Sequence, residues 1–265
     1  MKIDGNNIRV SVTDLEAFRL FREEDWMSFD DLMMQSTGEE PQSLQMAASG
    51  VFHEILSHLH TGEHDVLRKG RFTFDLADVE ADIVLQPLRE LRVSRQYVLD
   101  DGTVIDVRGR VDGADGVAVD DHKIKFGSYD AERQADSVQW RFYLDMTGSR
   151  IFRYNTFEAK DFTDKEKERW ARCPCAEYVH CGGIAGECAS ICTCGRRMEL
   201  HLDEFEITIK TLHIHTLYDY EGMHEELIAH LRDYATFARA RLTDAAILAW
   251  REKQDRSYAY LDPGK

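Results

Sequence analysis

The sequence predicts an α/β fold, a central mixed β-sheet (an antiparallel meander plus further strands) flanked by helices, and three observations carry that reading. Three runs of alternating apolar and polar residues follow one another from Arg89 to Ile124. They are separated by Asp100-Asp-Gly102 and by Gly113-Ala-Asp-Gly116, which makes them an antiparallel meander. Amphipathic helical runs lie on both sides of the meander. A helix then joins it to another alternating strand, Arg150 to Glu158, which makes the arrangement α/β rather than all-β.

Taken in order, residues 1–40 read as helical. Thr13-Asp-Leu-Glu16 has capping-box spacing, Leu15, Phe18, Leu20 and Phe21 begin an amphipathic run, and Ser28 can cap a second short helix through Phe29, Leu32 and Met33. Gly38 to Pro41 is loop. Ser43 to His60 is a helix with Leu44, Ala47, Ala48, Val51, Ile55, Leu56 and Leu59 on its apolar face. Gly50 inside it costs roughly 1 kcal/mol relative to alanine, which points to close packing there. Residues 61–85 are polar and mixed, with a short strand at Arg71 to Leu76.

After the meander, Asp130 to about Met146 is a helix that carries Gln139 and Tyr143 on one face at i, i+4. A charged helical piece, Asp161 to Arg172, leads into a cysteine-dense loop. A strand from Glu204 to Leu217 and one long or two successive helices from Glu221 to Arg251 complete the chain. The stripe Leu227, Leu231, Tyr234, Phe237, Ala238, Leu242 is core packing, and the tail after Asp255 is expected to be loosely held. The whole reads as a single domain over 1–265: an N-terminal helical region 1–85, a catalytic core 86–158, a Cys-rich insert 159–203, and a last strand with C-terminal helices 204–265.

At 265 residues, 43% hydrophobic and 31% charged, the chain has the composition of a soluble globular protein. No run approaches the roughly 18 apolar residues of a membrane helix, and MKIDGNNIRV lacks the apolar core of a signal peptide. The reading is therefore cytoplasmic, with no membrane partner. A net charge of −16 argues against a protein that coats nucleic acid non-specifically, since that requires clustered Lys and Arg. An enzyme with a local basic groove stays open, because basic and acidic residues nearly balance between Arg89 and Arg172.

The chemistry centres on the second hairpin of the meander. Period-2 alternation puts Asp121 and Lys123 on one face and His122 on the other, and Asp112, just before the Gly113 turn, can reach the same pocket. A phosphodiester is anionic and repels hydroxide, so its cleavage calls for a cation that neutralises it and lowers the pKa of an attacking water. Asp112 and Asp121 would supply the hard oxygen ligands that Mg²⁺ (or Mn²⁺) prefers, and the backbone carbonyl of His122 would be a further ligand. Lys123 would orient the water and stabilise charge on the phosphorane oxygens. Asp115 and Asp120 rival them as ligands, but Asp120 should share the face of His122 and ranks below Asp121.

The ordered set Gly50 to His53, Gly109-Arg-Val-Asp112, Asp121-His-Lys123 and Gln139-Trp-Arg-Phe-Tyr143 resembles the PD-(D/E)XK nuclease superfamily, in its RecB-like and phage-type exonuclease branch. The glycine and histidine here are separated by two residues where that branch has three. Ser137-Val-Gln-Trp-Arg-Phe-Tyr-Leu144 and Phe152-Arg-Tyr-Asn155 also look like the phage proteins. The resemblance implies a restriction-endonuclease-like core and a metal-dependent DNA exonuclease of phage-type recombination or DNA end processing, working beside a single-strand annealing protein in a bacterial or phage-infected cell. It further implies that His53 is an additional metal ligand and that Gln139 and Tyr143 line the site and contact the DNA strand. The alternatives are a structure-specific endonuclease, resolvase or flap type, on the same fold, and a non-catalytic DNA-binding module.

All six cysteines, Cys173, Cys175, Cys181, Cys188, Cys192 and Cys194, fall in the insert. Cytosolic thiols stay reduced, so a structural Zn²⁺ held by four thiolates, or by three with His180 or His201, is the leading reading. An iron–sulfur cluster comes second: some RecB-like nucleases carry one, but it draws one cysteine from before the nuclease motifs, and here none precedes residue 173. Free thiols or disulfides remain after these.

Overall fold

The computed structural model describes residues 2–38, 42–60, 65–79, 83, 85–172 and 204–261, the side chains of 171–172 and 253–261 excepted. The six cysteines, and with them the zinc and iron–sulfur expectations, lie outside the described residues.

In chain order the elements are β1 (Lys2–Asp4), β2 (Asn7–Ser11), α1 (Val12–Glu23), α2 (Phe29–Thr37), α3 (Leu44–His58), β3 (Val66–Lys69), β4 (Phe72–Asp75), β5 (Leu88–Val98), β6 (Val104–Ala114), β7 (Ala118–Phe126), α4 (Ala131–Asp136), α5 (Val138–Thr147), β8 (Ile151–Ala159), α6 (Asp164–Arg172), β9 (Phe205–Tyr218), α7 (Met223–Arg241) and α8 (Asp244–Leu261). The strands form one sheet in the order β1-β2-β6-β7-β8-β9-β4-β3, with β5 paired to β6. It is mixed: β2 with β6, β7 with β8 and β4 with β9 are parallel, and the remaining pairs are antiparallel. The architecture is therefore α/β, a large mixed sheet flanked by helices. Among the described residues no helix is long and apolar enough to cross a membrane.

Alternation along β8 shows how the two layers of helices are seeded. Phe152 and Tyr154 enter a core shared with α1, α5 and α7, whereas Phe157 and Ala159 enter a second core built with α3, β4 and β9 on the other face.

Five details depart from the sequence reading. The N-terminus opens with a hairpin, β1–β2, before the first helix, because Ile8 and Val10 alternate inward and Gly5 turns at a φ of 57°. The capping box of α1 is formed by Ser11 and Asp14 rather than Thr13 and Glu16. The Ser11 hydroxyl accepts from the Asp14 amide at 3.0 Å, and the Asp14 carboxylate accepts from the Ser11 amide at 3.2 Å. Residues 66–75 form a complete hairpin, not one short strand. The expected helix from Asp130 to Met146 is broken at Ser137, which is extended (ψ 137°) and caps α5 by accepting from the Gln139 amide. At the other end, α8 runs to Leu261, beyond the Arg251 end expected for the last helix.

The feature that positions the site is a gap along one edge of β6. β5 pairs along β6 from Val98↔Val104 to Leu88↔Ala114, interrupted only at Glu90 and Asp112. On the opposite edge β2 pairs only as far as Ser11↔Arg108, and β7 pairs only at Gly113↔Asp120 and Ala114↔Val119. From Gly109 to Asp112 that edge has no strand partner, and the backbone groups released there must find others.

Candidate active site

Side chains from α3, α5 and β7 fill this gap. Tyr143 of α5 donates its hydroxyl proton to the Arg110 carbonyl at 3.0 Å, and the His122 amide donates to Asp112 Oδ2 at 2.7 Å instead of to a β6 carbonyl. In extended backbone the N–H and C=O of one residue leave the strand on the same edge, so the His122 carbonyl also opens toward the gap. Close approach of Tyr143 requires a glycine beneath it: a Cβ on Gly109 would sit 2.5 Å from Tyr143 Cε1. Gly50 is different. A Cβ there would meet nothing within 4 Å, so the close packing expected at this helical glycine is absent, and Gly50 instead lines the cleft.

Asp112, Asp121, Lys123, His53, Gln139 and Tyr143 all line one cleft of about 1130 Å³. Lys123 Nζ lies 2.8 Å from Asp121 Oδ2 and donates to Gln139 Oε1 at 3.1 Å. His53 Nδ1 lies 3.3 Å from Asp112 Oδ2. His122 points the other way, as alternation requires: its ring is buried near Phe157, and burial pushes its pKa down.

The charges are strongly coupled. Burial pushes the Asp121 carboxyl above the ordinary carboxylate value, the Asp112 charge adds to this, and Lys123 offsets only part of it. For Asp112 burial acts upward too, but the His53 hydrogen bond and charge, together with the His122 amide, win and hold it below the ordinary value. His53 and Lys123 are both raised, because Asp112 and Asp121 respectively outweigh the effect of burial. Burial, helped by Asp121, pushes Tyr143 up to about 12, so it remains a neutral donor.

Both rival carboxylates are occupied elsewhere. Asp120, on the opposite face of β7, receives Arg153 Nε on Oδ1 and Gln86 Nε2 on Oδ2, each at 2.7 Å. Asp115 is exposed and closes the β6–β7 turn by accepting from the Val117 and Ala118 amides, each at 2.8 Å.

Among the described residues no three His, Cys, Asp or Glu side chains stand in a geometry that could hold a metal ion. Mg²⁺ does not call for such a cage, since one or two carboxylates with water and substrate phosphate are its usual shell. The donor chemistry fits a hard cation at one atom in particular: Asp121 Oδ2 is buried and accepts no hydrogen bond of ordinary geometry despite the nearby ammonium. His53 meets Asp112 through Nδ1, which leaves its Nε2 as the atom available to a ligand.

The structure adds residues that sequence patterning did not single out. Glu90 lines the cleft and is the one described non-glycine residue with positive φ, 53°, a conformation that costs about 1–3 kcal/mol. Its carboxylate pairs with Arg110 Nε at 2.9 Å. Arg92 and Arg110 line the same cleft. In the sequence all three are ordinary members of an alternating charged strand, and only the pairing register reveals their proximity to Asp112. A second cleft, of about 800 Å³, adjoins the first through Lys123 and Gln139, with Tyr129 and Tyr154 in its wall.

No family model matches the sequence, and no curated protein matches it. A solved structure described as "Crystal structure of SSO0001" aligns at 14% identity and a TM-score of 0.36, over 65% of this chain and 76% of its own. So distant a likeness bears on neither fold nor function.

Proposed function

We propose that this chain is a metal-dependent deoxyribonuclease, an exonuclease that hydrolyses phosphodiester bonds at DNA ends, like the RecB-like and phage-type enzymes its motifs resemble. One observation carries the reading: at the gap in β6, Asp112, Asp121 and Lys123 line a single cleft, with the Lys123 ammonium 2.8 Å from the buried Asp121 Oδ2.

Mg²⁺ or Mn²⁺, held by Asp112, Asp121 and the His122 carbonyl with His53 as a further donor, would neutralise the phosphate and acidify the attacking water. Lys123 is kept protonated by Asp121 and places a fixed positive charge where the phosphorane oxygens develop theirs. Gln139 steadies that ammonium through its side-chain oxygen. The His122 amide orients Asp112, and Tyr143 holds the β6 edge by way of the Arg110 carbonyl. Tyr143 is buried and its hydroxyl is engaged, so it acts as a positioning residue rather than a contact to the DNA strand. End resection for recombination would set a single-strand annealing protein beside this activity.

The test is digestion of end-labelled linear duplex DNA in Mg²⁺, with closed circular duplex in parallel and Asp121→Ala as control. Release of nucleotides from linear DNA alone, lost in the variant, supports the exonuclease. Cutting of the circle assigns a resolvase- or flap-type endonuclease to the same residues. No cleavage, or cleavage that survives in Asp121→Ala, removes this site as a nuclease centre.

A further inference from the structure

The outer face of the β5–β6 ribbon carries an arrangement that folding does not need. Tyr97, Ile105, Val107 and Val111 turn inward to the core, and the opposite parity leaves Arg92, Arg108 and Arg110 exposed on the other side. The register sets Arg92 directly opposite Arg110, and Ser94 opposite Arg108. Like charges facing each other across a strand pair destabilise it, so the arrangement calls for an anion.

The carboxylates nearest these arginines and across the cleft are already engaged. Glu90 pairs with Arg110 at 2.9 Å, Asp106 with Arg108 at 2.7 Å, and Glu54, from α3, with Lys69. Arg92 has no ion pair or hydrogen bond among the described residues, although it lines the cleft that contains Asp112, Asp121 and Lys123. Its planar guanidinium is suited to binding phosphate oxygens two at a time.

We infer that Arg92 and Arg110 form a phosphodiester-binding site on the outer face of β5–β6, which holds the backbone of a nucleic-acid strand away from the bond being cut. The choice of ligand rests on the nuclease reading. β6 runs outward from Asp112, so at about 3.4 Å per residue Arg110 and Arg108 stand on the order of 7 and 14 Å along it. That is roughly two and four nucleotides at a rise of about 3.4 Å each. The site binds backbone, so its contribution is independent of base sequence.

The experiment is fluorescence anisotropy of labelled duplex DNA of two unrelated sequences against the full chain, in EDTA so that nothing is cut, over a series of salt concentrations. Arg92→Gln and Arg110→Gln, singly and together, keep a polar side chain of similar reach. Arg232→Ala on α7, across the sheet, is the control, and thermal melts confirm folding. Each arginine variant is expected to weaken binding several-fold on both sequences and to reduce the slope of log affinity against log salt by about 1, with the control unchanged. Unchanged affinity and slope overturn the inference. So does a loss confined to one sequence, which would mean base reading, and so does an absence of DNA binding by the unaltered chain. Weakened binding in the arginine variants of a chain that cuts no DNA keeps the phosphate site and removes the nuclease reading. Cleavage with unaltered binding in the variants does the reverse.

Discussion

Asp120 and Asp121 are neighbours on β7 and almost equally buried, 1% and 5% exposed, yet strand alternation gives them opposite surroundings. On one face each oxygen of Asp120 has a donor, Arg153 or Gln86. On the other, Asp121 shares its space with Asp112, meets the Lys123 ammonium at 2.8 Å, and is still held above the ordinary carboxylate value. Burial is therefore not what distinguishes a structural carboxylate from a functional one. A carboxylate with a donor on each oxygen is already compensated, whereas one that burial and a second carboxylate hold against ionisation, despite an ammonium beside it, is in an unfavourable state that a further cation would relieve.

The largest expected effect separates the two residues directly. Asp121→Asn and Lys123→Ala are each expected to lower cleavage of linear DNA about 10³-fold or more, as loss of a centrally placed electrostatic group does; the melting temperature stays level or rises in Asp121→Asn and falls in Lys123→Ala, which leaves the Asp121 carboxylate buried without its cation. Asp120→Asn is expected to do the opposite. Cleavage per folded molecule stays within a few-fold of wild type, while urea unfolding shows a loss of about 2–3 kcal/mol, the worth of a hydrogen bond to a charged group left without its partner. If Asp120→Asn loses cleavage with stability intact, the roles of the two faces are reversed.

The same contrast extends to metal. Mg²⁺ at about 100 times its dissociation constant should stabilise wild type and Asp120→Asn by about 2.7 kcal/mol, and should leave Asp121→Asn unmoved. Calorimetry with and without EDTA reads this. An equal rise in all three proteins would place the cation elsewhere.

Much of this contrast is legible in the sequence, because it depends on local periodicity. Alternation alone assigns Asp121 and Lys123 to one face of β7 and Asp120 and His122 to the other, and the meander from Leu88 to Phe126 follows the pattern of its residues. What escapes is set by partners distant in the chain. The gap in β6 exists because β2 stops at Arg108 and β7 begins at Gly113, a matter of register between separate strands. Tyr143 meets the Arg110 carbonyl across 33 positions, and Asp120 meets Arg153 across the same separation. Glu16, which looks like a capping residue, instead accepts from the Val138 amide of α5. The β1–β2 hairpin escapes for a simpler reason: strands of 3 and 5 residues are too short for period 2 to register.

The two glycines of the site sharpen this point. Gly109→Ala drives a methyl group into the Tyr143 ring and should cost about 1–3 kcal/mol as overpacking, with cleavage reduced because the β6 edge moves. Gly50→Ala has open space and a helical backbone, so a gain of up to roughly 1 kcal/mol is expected. Urea titration of both variants tests this, and a destabilised Gly50→Ala would restore the close-packing explanation for that residue.

The smallest effect is a pH dependence, and its sign follows from the environment of Asp121. A carboxyl whose value is raised on folding binds its proton more tightly in the native state than in the unfolded one. Stability from this group is fully present at pH below the ordinary carboxylate value and falls as pH rises from there through the raised one. Asp121→Asn removes that loss, so its melting temperature in EDTA should gain on wild type as pH increases from 4 toward neutrality, by about 2–4 °C for each kcal/mol in a chain of this size. His53, raised by Asp112, also contributes stability that is present at low pH and lost as pH rises through its own raised value. His53→Gln should therefore fall behind wild type below about pH 6.5, the ordinary imidazole value, and recover above it. Both variants thus gain on wild type as pH rises, but in different windows, Asp121→Asn from about pH 4 upward and His53→Gln only above about pH 6.5, so a single shared window would mean that the two groups titrate as one coupled cluster.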